Sequence, residues 1–447
     1  MTAVGIDAIE IRTGKLKLDL GETFAPAQDE DPEKYTKGLG LNNSSFPDVY
    51  EDIVTMGANA AKELMDRKGL EPGDIGRIDV ATESAFDHSK PVSTYIAGCL
   101  EQVYDGDFTH ANKGERKFAC LAGTQAIDDA YNWIRAGRNR GRPAIVITTD
   151  TALYERGDPG EATQGAGAVA MLIDEDPSIV ELSTDQGYGS KDETDFLKPN
   201  QQFPSVDGKR SVQVYLSRMR EALEDYESVT DDIALDDFVY APFHTPFPGM
   251  VRKAALLAYR HVIRDSEYED ELADEIGRQP READFADRES YEGAIRDYMD
   301  ELKRTDQYQS WYDTVVEPTL GLSREVGNWY TSSVHLARVS ALRDALERDR
   351  SFVDDTLLVA SYGSGAQAEI HAETIREGWR AEIEGLDIDE QLAGRYDLTW
   401  SEYEDVHDVH EYDMDVEREI EEFTQPESEF VFTGWGRMNE RKYEYVE

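Results

Sequence analysis

The sequence predicts an α/β protein with an internal echo, and three observations carry that expectation. Short apolar stretches alternate with amphipathic helical patterns, as in a sheet covered by helices. The stretch Arg142-Pro143-Ala144-Ile145-Val146-Ile147-Thr148-Thr149-Asp150 is echoed by Asp355-Thr356-Leu357-Leu358-Val359-Ala360-Ser361, each a late strand in its half. The strands leading to Glu83 and to His244 form a second such pair. With 447 residues, 39% of them hydrophobic, the chain can build a large core and two or more domain-sized units.

In chain order, the first element that matters is the strand Ile78-Asp79-Val80, which runs into a polar segment from Ala81 to Lys90 and leaves Glu83 at its C-terminal end. Cys99 lies in Tyr95-Ile96-Ala97-Gly98-Cys99-Leu100 and reads as helix packing. Lys117 to Thr124 sets Cys120 among small residues just before Ile127, Ala130, Tyr131 and Ile134, an i, i+3, i+4, i+7 helical stripe that Gly137 can close. Cys120 is thus expected at the positive end of a buried helix, where backbone N–H groups and the macrodipole lower a cysteine pKa. Farther on, Phe238-Val239-Tyr240-Ala241-Pro242-Phe243 is a short apolar strand with His244 at its end. Residues 265–320 are acidic, aromatic and helical in pattern, an expected insertion in the second half. The halves are set at 1–175, with Glu83 and Cys120, and 176–447, with His244.

Catalytic groups of α/β sheets gather at the carboxyl ends of strands, so Glu83, Cys120 and His244 could share one cleft. Each also has a plainer reading: a small buried cysteine, a carboxylate at a helix start, a hydrogen-bonded turn histidine. The glycine-rich turn Gly363-Ser364-Gly365 is by itself a strand connection or a weak phosphate loop.

Charge narrows the classes. The chain carries 94 acidic against 46 basic residues, a formal net charge of −48, which disfavours nucleic acid and anionic membranes as partners. Lysine is scarce, 15 against 31 arginines, and acids are spread through nearly every segment, as on a halophile's solvated surface. High salt would screen the self-repulsion, since the Debye length falls to about 3 Å at 1 M. No stretch reaches the roughly 20 apolar residues of a membrane span, and the N-terminus lacks a basic region before an apolar run, so the cytoplasm is the expected address. Two cysteines suggest neither a disulfide framework nor a zinc site.

Taken together, several motifs resemble those of the hydroxymethylglutaryl-CoA synthases. They are Thr82-Glu83-Ser84 with Asp87 and Ser89-Lys90; Ala119-Cys120 with Gly123-Thr124; Gly165 to Leu172; Phe196 with Lys198-Pro199-Asn200; Val206-Asp207-Gly208 with Ser211; His244 with Pro246-Phe247; Gly327-Asn328 with Tyr330-Thr331; and Ser361 to Gly365. The resemblance implies a thiolase-like fold, two similar halves in a layered αβαβα arrangement with the active site between them. It also implies condensation of acetyl-CoA with acetoacetyl-CoA and water to 3-hydroxy-3-methylglutaryl-CoA and CoA, with no cofactor or metal. Cys120 would carry the acetyl group, Glu83 would take a methyl proton, and His244 would polarise the acetoacetyl group. The N–H groups of Cys120 and Ser361 would form an oxyanion site, with Asn328 toward the acetoacetyl portion. A lysine common five residues after the histidine is replaced by Gly249, so Arg252 and Lys253 become the expected CoA-phosphate contacts. Leu121 and Ala122 replace a common tyrosine and glycine. A homodimer, association with a thiolase and a place in mevalonate synthesis follow from the same resemblance. Two alternatives remain at this point: a 3-ketoacyl synthase, which usually pairs its cysteine with histidines or histidine and asparagine, and a non-catalytic CoA-binding scaffold.

Overall fold

The computed structural model describes residues 2–199, 201–230, 233–411 and 420–447. Its first half contributes strands β1 (Val4–Thr13), β2 (Arg77–Ala81), β3 (Asn112–Arg116), β4 (Ala144–Ala152) and β5 (Gly165–Glu175). They lie in the order β3-β2-β4-β5-β1, the first three parallel and the rest antiparallel. The second half contributes β6 (Val180–Ser190), β7 (Thr356–Gly363) and β8 (Gln367–Ile375) in the order β7-β8-β6. There the segment before His244 runs parallel to β7, bridging Tyr240 to Leu357 and Phe243 to Ala360. The echo seen in the sequence is therefore a repeated topology: in each half the strand leading to a candidate catalytic residue lies parallel to the late strand. The halves join where Gly5 and Ile6 of β1 pair with Glu181 and Val180 of β6.

Helices complete five layers. Helix α1 (Ile53–Lys68) covers one face of the first half-sheet, beside α2 (Val92–Leu100). Its start is fixed by Asp52, whose Oδ1 accepts from the N–H groups of Val54 and Thr55 at 2.8 and 2.9 Å. Helix α3 (Ala122–Arg135) packs on the opposite face. It ends as the sequence predicts, with Gly137 in the left-handed region at φ 65°. Helix α4 (Gly208–Val229) covers the outer face of β6 and β8, and α5 (Pro248–Val262) packs against α4. The predicted helical stretch contains α6 (Glu267–Ile276) and α7 (Arg288–Leu302), whose Leu272, Tyr298 and Leu302 join the core around α5. Helix α8 (Ser333–Glu347) lies on β7 and shares with α3 one apolar core drawn from both halves. Strands β4 and β5, covered on both faces, accordingly read as near-continuous buried runs. Among the described residues no helix is long and apolar enough to cross a membrane.

Candidate active site

Cys120, Glu83 and His244, far apart in sequence, converge where the two halves meet. Cys120 occupies the turn just before α3, preceded by Ala119 at φ 44°, a left-handed conformation costly for a residue with a Cβ. Its Sγ donates to Glu83 Oε1 at 2.7 Å. This corrects the expectation of a thiolate. Burial first, and then the charge and hydrogen bond of Glu83, push the thiol well above its ordinary value, against the pull of the helix end. Glu83 in turn is pushed up to about 8, by burial and then by the charge of Asp150. The resting pair is thus a thiol hydrogen-bonded to a carboxyl group whose own ionisation is raised toward neutral pH and above.

Asp150, at the end of β4, positions Glu83. Its Oδ1 accepts from Glu83 N at 2.7 Å, Ser84 Oγ at 2.9 Å and Thr82 Oγ1 at 3.0 Å, and its Oδ2 from Thr331 N at 3.0 Å and Thr331 Oγ1 at 2.5 Å. One buried carboxylate therefore ties the Glu83 turn to the second half. In the sequence this residue marks only the end of a strand; an aspartate closing an apolar strand beside the Glu83 strand is the available signal. Asp150→Ala leaves those five donors without their acceptor and is expected to cost about 3 kcal/mol or more of stability. Thermal unfolding at fixed salt measures it.

His244 is buried, with its N–H donating to the Ala360 carbonyl at 2.8 Å and its carbonyl accepting from the Tyr215 hydroxyl at 2.9 Å. The ring stacks near Tyr362, centroids 6.2 Å apart at 27°. Desolvation lowers its pKa to about 3, so it works as a neutral imidazole, and its Nδ1 has no protein partner. Asn328 is oriented by its own oxygen, which accepts from Tyr330 N at 2.9 Å and Ser333 Oγ at 2.6 Å and leaves the amide N–H groups for the cavity that Asn328 lines.

That cavity has a volume of about 810 Å³ and is walled by Cys120, His244, Asn328, Tyr154, Tyr330 and Ser364 among others. Its mouth is formed by the exposed segment Val206 to Lys209 at the start of α4. Four expected residues lie off this wall: Glu83, which touches the wall residue Cys120, and the three that follow. Ser361 sits inside β7 with its Oγ 2.7 Å from Thr124 Oγ1. The N–H groups of Leu358 and Ala360 point to the strand before His244, so by alternation that of Ser361 faces β8 and not Cys120. Ser364, just past the strand, takes the place on the wall. Arg252 is bound to the Lys37 carbonyl at 3.0 Å, and Lys253 is exposed; the basic residue on the wall is Lys209. A lysine at a helix start carries no sequence signal for facing a cavity, which explains why it was missed.

Gly363 brings the end of β7 against the nucleophile turn. A Cβ there would lie 2.5 Å from the Phe118 carbonyl oxygen and 2.9 Å from Leu121 N. Gly363→Ala is expected to cost about 1–3 kcal/mol through overpacking. Thermal unfolding of the variant beside wild type at fixed salt measures it.

A duplicated, five-layered α/β fold with a cysteine at the head of a central helix and a carboxylate and a histidine at strand ends defines a thiolase-like condensing enzyme. The model for the hydroxymethylglutaryl-coenzyme A synthase N terminal region matches residues 2–178, and that for the C terminal region matches residues 186–433. The chain belongs to the hydroxymethylglutaryl-CoA synthase family. It is 74% identical over 447 residues, 100% of both chains, to the hydroxymethylglutaryl-CoA synthase of Haloferax volcanii. It also superposes on MvaS in complex with 3-hydroxy-3-methylglutaryl coenzyme A, with a TM-score of 0.83, 27% identity and 100% coverage of both chains. An HMG-CoA synthase complexed with CoA matches with a TM-score of 0.74 and 27% identity over 99% of this chain and 100% of the other. The activity is accordingly that of an acyltransferase condensing acetyl-CoA with acetoacetyl-CoA and water to 3-hydroxy-3-methylglutaryl-CoA and CoA.

Proposed function

We propose that the reaction runs through an acetyl group carried on Cys120, with Glu83 as general base and His244 with Asn328 as the acetoacetyl site. The 2.7 Å contact between Cys120 Sγ and Glu83 Oε1 carries this reading. As the sulfur attacks the thioester carbon, its proton passes to Glu83 and leaves with the CoA thiolate, so Glu83 is again a carboxylate beside the new acetyl group. It then removes a methyl proton. The resulting carbon nucleophile attacks the ketone of acetoacetyl-CoA, whose oxygen is polarised by the neutral His244 imidazole and the Asn328 amide; that oxygen takes up one proton through His244 and becomes the tertiary alcohol, while Glu83 gives the methyl proton up to solvent, so the step is neutral overall. Water releases the product from Cys120. Ser364 replaces Ser361 as the oxyanion contact beside the Cys120 N–H, because it lines the cavity. The CoA phosphates are assigned to the mouth, with Lys209 on the wall and Lys253 one turn beyond Met250 on α5.

No cofactor takes part in these steps. A homodimer fits the fold, and β3, at the sheet edge and partly exposed, offers the backbone groups for one. We place the enzyme in the cytoplasm, in mevalonate synthesis feeding isoprenoids and supplied by a thiolase, and read its acidic surface as adapted to high salt. The test is incubation with acetyl-CoA and acetoacetyl-CoA in multimolar KCl, with CoA release followed and the product identified by mass. Hydroxymethylglutaryl-CoA is the expected product; a longer 3-ketoacyl thioester, or no CoA release by folded protein, would reject this reading.

A further inference from the structure

The C-terminal hairpin of β9 (Glu429–Trp435) and β10 (Arg441–Val446) lies against α1 and α2, and β10 falls beyond residue 433, where the family match ends. Its Arg441 is 8% exposed and meets the loop that carries Glu83. The guanidinium carbon lies 3.9 Å from the ring centroid of Phe86, three residues after Glu83, and 5.3 Å from that of Trp435. Arg441 Nη1 and the Tyr443 hydroxyl both donate to Asp52 Oδ2 at 2.7 Å. The other oxygen of Asp52 is engaged in capping α1, so the guanidinium hangs from a rigid helix start. Tyr95 of α2 closes the cluster edge-on to Phe86 at 5.3 Å and to Tyr443 at 6.2 Å.

Among the described residues the loop from Thr82 to Lys90 is tied to distant segments at two places, its start and Phe86. Asp150 holds it at Thr82, Glu83 and Ser84, and the Arg441 cluster holds it at Phe86. Ala85, between them, is exposed, and beyond Phe86 the loop is polar, with Asp87 accepting from the Ser89 and Lys90 N–H groups within the loop. Phe86 is thus the loop's one large apolar anchor, and a planar cation fixed at both ends of its own contacts sits over its ring.

We propose that Arg441 is a positioning residue for the general base, its guanidinium clamping Phe86 so that Glu83 keeps its reach to the acetyl methyl group. The proposal rests on the reading of Glu83 as the base of condensation, and the experiment separates the two. Full-length wild type, Arg441→Ala, Arg441→Lys, Phe86→Leu and Glu83→Ala are compared in multimolar KCl. Met438→Ala, changing the 87% exposed hairpin tip, serves as the control. Two rates are measured for each protein: acetylation of Cys120 by labelled acetyl-CoA, and loss of that acetyl group to acetoacetyl-CoA. Arg441→Ala and Phe86→Leu should acetylate within about twofold of wild type and condense at least about tenfold more slowly, since small misplacements of a reacting group are costly. Arg441→Lys, which keeps the charge and loses the planar stack, should share the condensation defect in part. Phe86→Leu leaves the Arg441–Asp52 contact in place, so it reports on the clamp even if Arg441→Ala folds poorly. Equal loss of both rates in step with the folded fraction, or wild-type condensation in both variants while Glu83→Ala fails, would overturn the clamp. Normal condensation by Glu83→Ala would instead overturn the assignment of the base.

Discussion

Cys120→Ala forms no acetyl-enzyme and loses turnover by at least about 10⁴-fold, because every later step acts on a group that only the sulfur can carry. The substitution removes one atom from the cavity wall and leaves α3 intact, so folding is retained. The thiol is not preset as an ion. Its proton lies toward Glu83 at 2.7 Å; burial raises both groups, and the charge of Glu83 raises the thiol further. Substrate entry is what makes proton transfer productive, since the carbonyl then accepts the electrons that the sulfur would otherwise hold as an isolated buried charge. Labelling by acetyl-CoA, followed by digestion and peptide mass, checks the result.

Glu83→Ala, in contrast, still acetylates Cys120 and fails to condense, by at least about 10³-fold. The charge and the hydrogen bond of Glu83 both raise the cysteine, so removing them makes the thiolate easier to form. Removal of the methyl proton has no such relief. With Glu83 at about 8, its carboxylate is the minor form at pH 6 and becomes dominant above 8, so the wild-type condensation rate should climb with pH through that region. The same shift has a stability sign. A carboxyl whose pKa is about 8 when folded and 4.5 when unfolded keeps a proton that the unfolded chain has lost, so this group's contribution declines as pH rises from 4.5 to 8. Glu83→Gln removes that slope, and its unfolding temperature should gain on wild type from pH 5 to pH 8.

Much of this site was legible in the sequence because each residue sits at a boundary that local physics marks. Glu83 and His244 follow short apolar strands, and Cys120 precedes a helix whose stripe and closing glycine are visible in the order of residues. What escaped depends on contacts between distant segments. Burial where the halves meet, and then a carboxyl group 37 residues away, raise the thiol against the helix end. Asp150 is unremarkable until Thr331, 181 residues on, is seen bonded to it. Ser361 and Ser364 flank the end of one strand, and only the direction of the neighbouring N–H bonds decides which faces the nucleophile. Arg252 and Lys253 are close to His244 in sequence, yet helix α5 turns Met250 toward the cavity and leaves the two cations off its wall. The repeated topology was visible as an echo between late strands, while the five layers came from the family resemblance and not from periodicity.

The central claim is that Cys120 takes the acetyl group and Glu83 then spends its proton affinity on the acetyl methyl. It is tested most directly by exposing wild type, Cys120→Ala and Glu83→Ala to labelled acetyl-CoA in multimolar KCl, locating the label by peptide mass, and adding acetoacetyl-CoA. Label is expected on the Cys120 peptide of wild type and Glu83→Ala, none on Cys120→Ala, and passage into hydroxymethylglutaryl-CoA from wild type alone. Label retained by Cys120→Ala, or released as that product by Glu83→Ala, would contradict it.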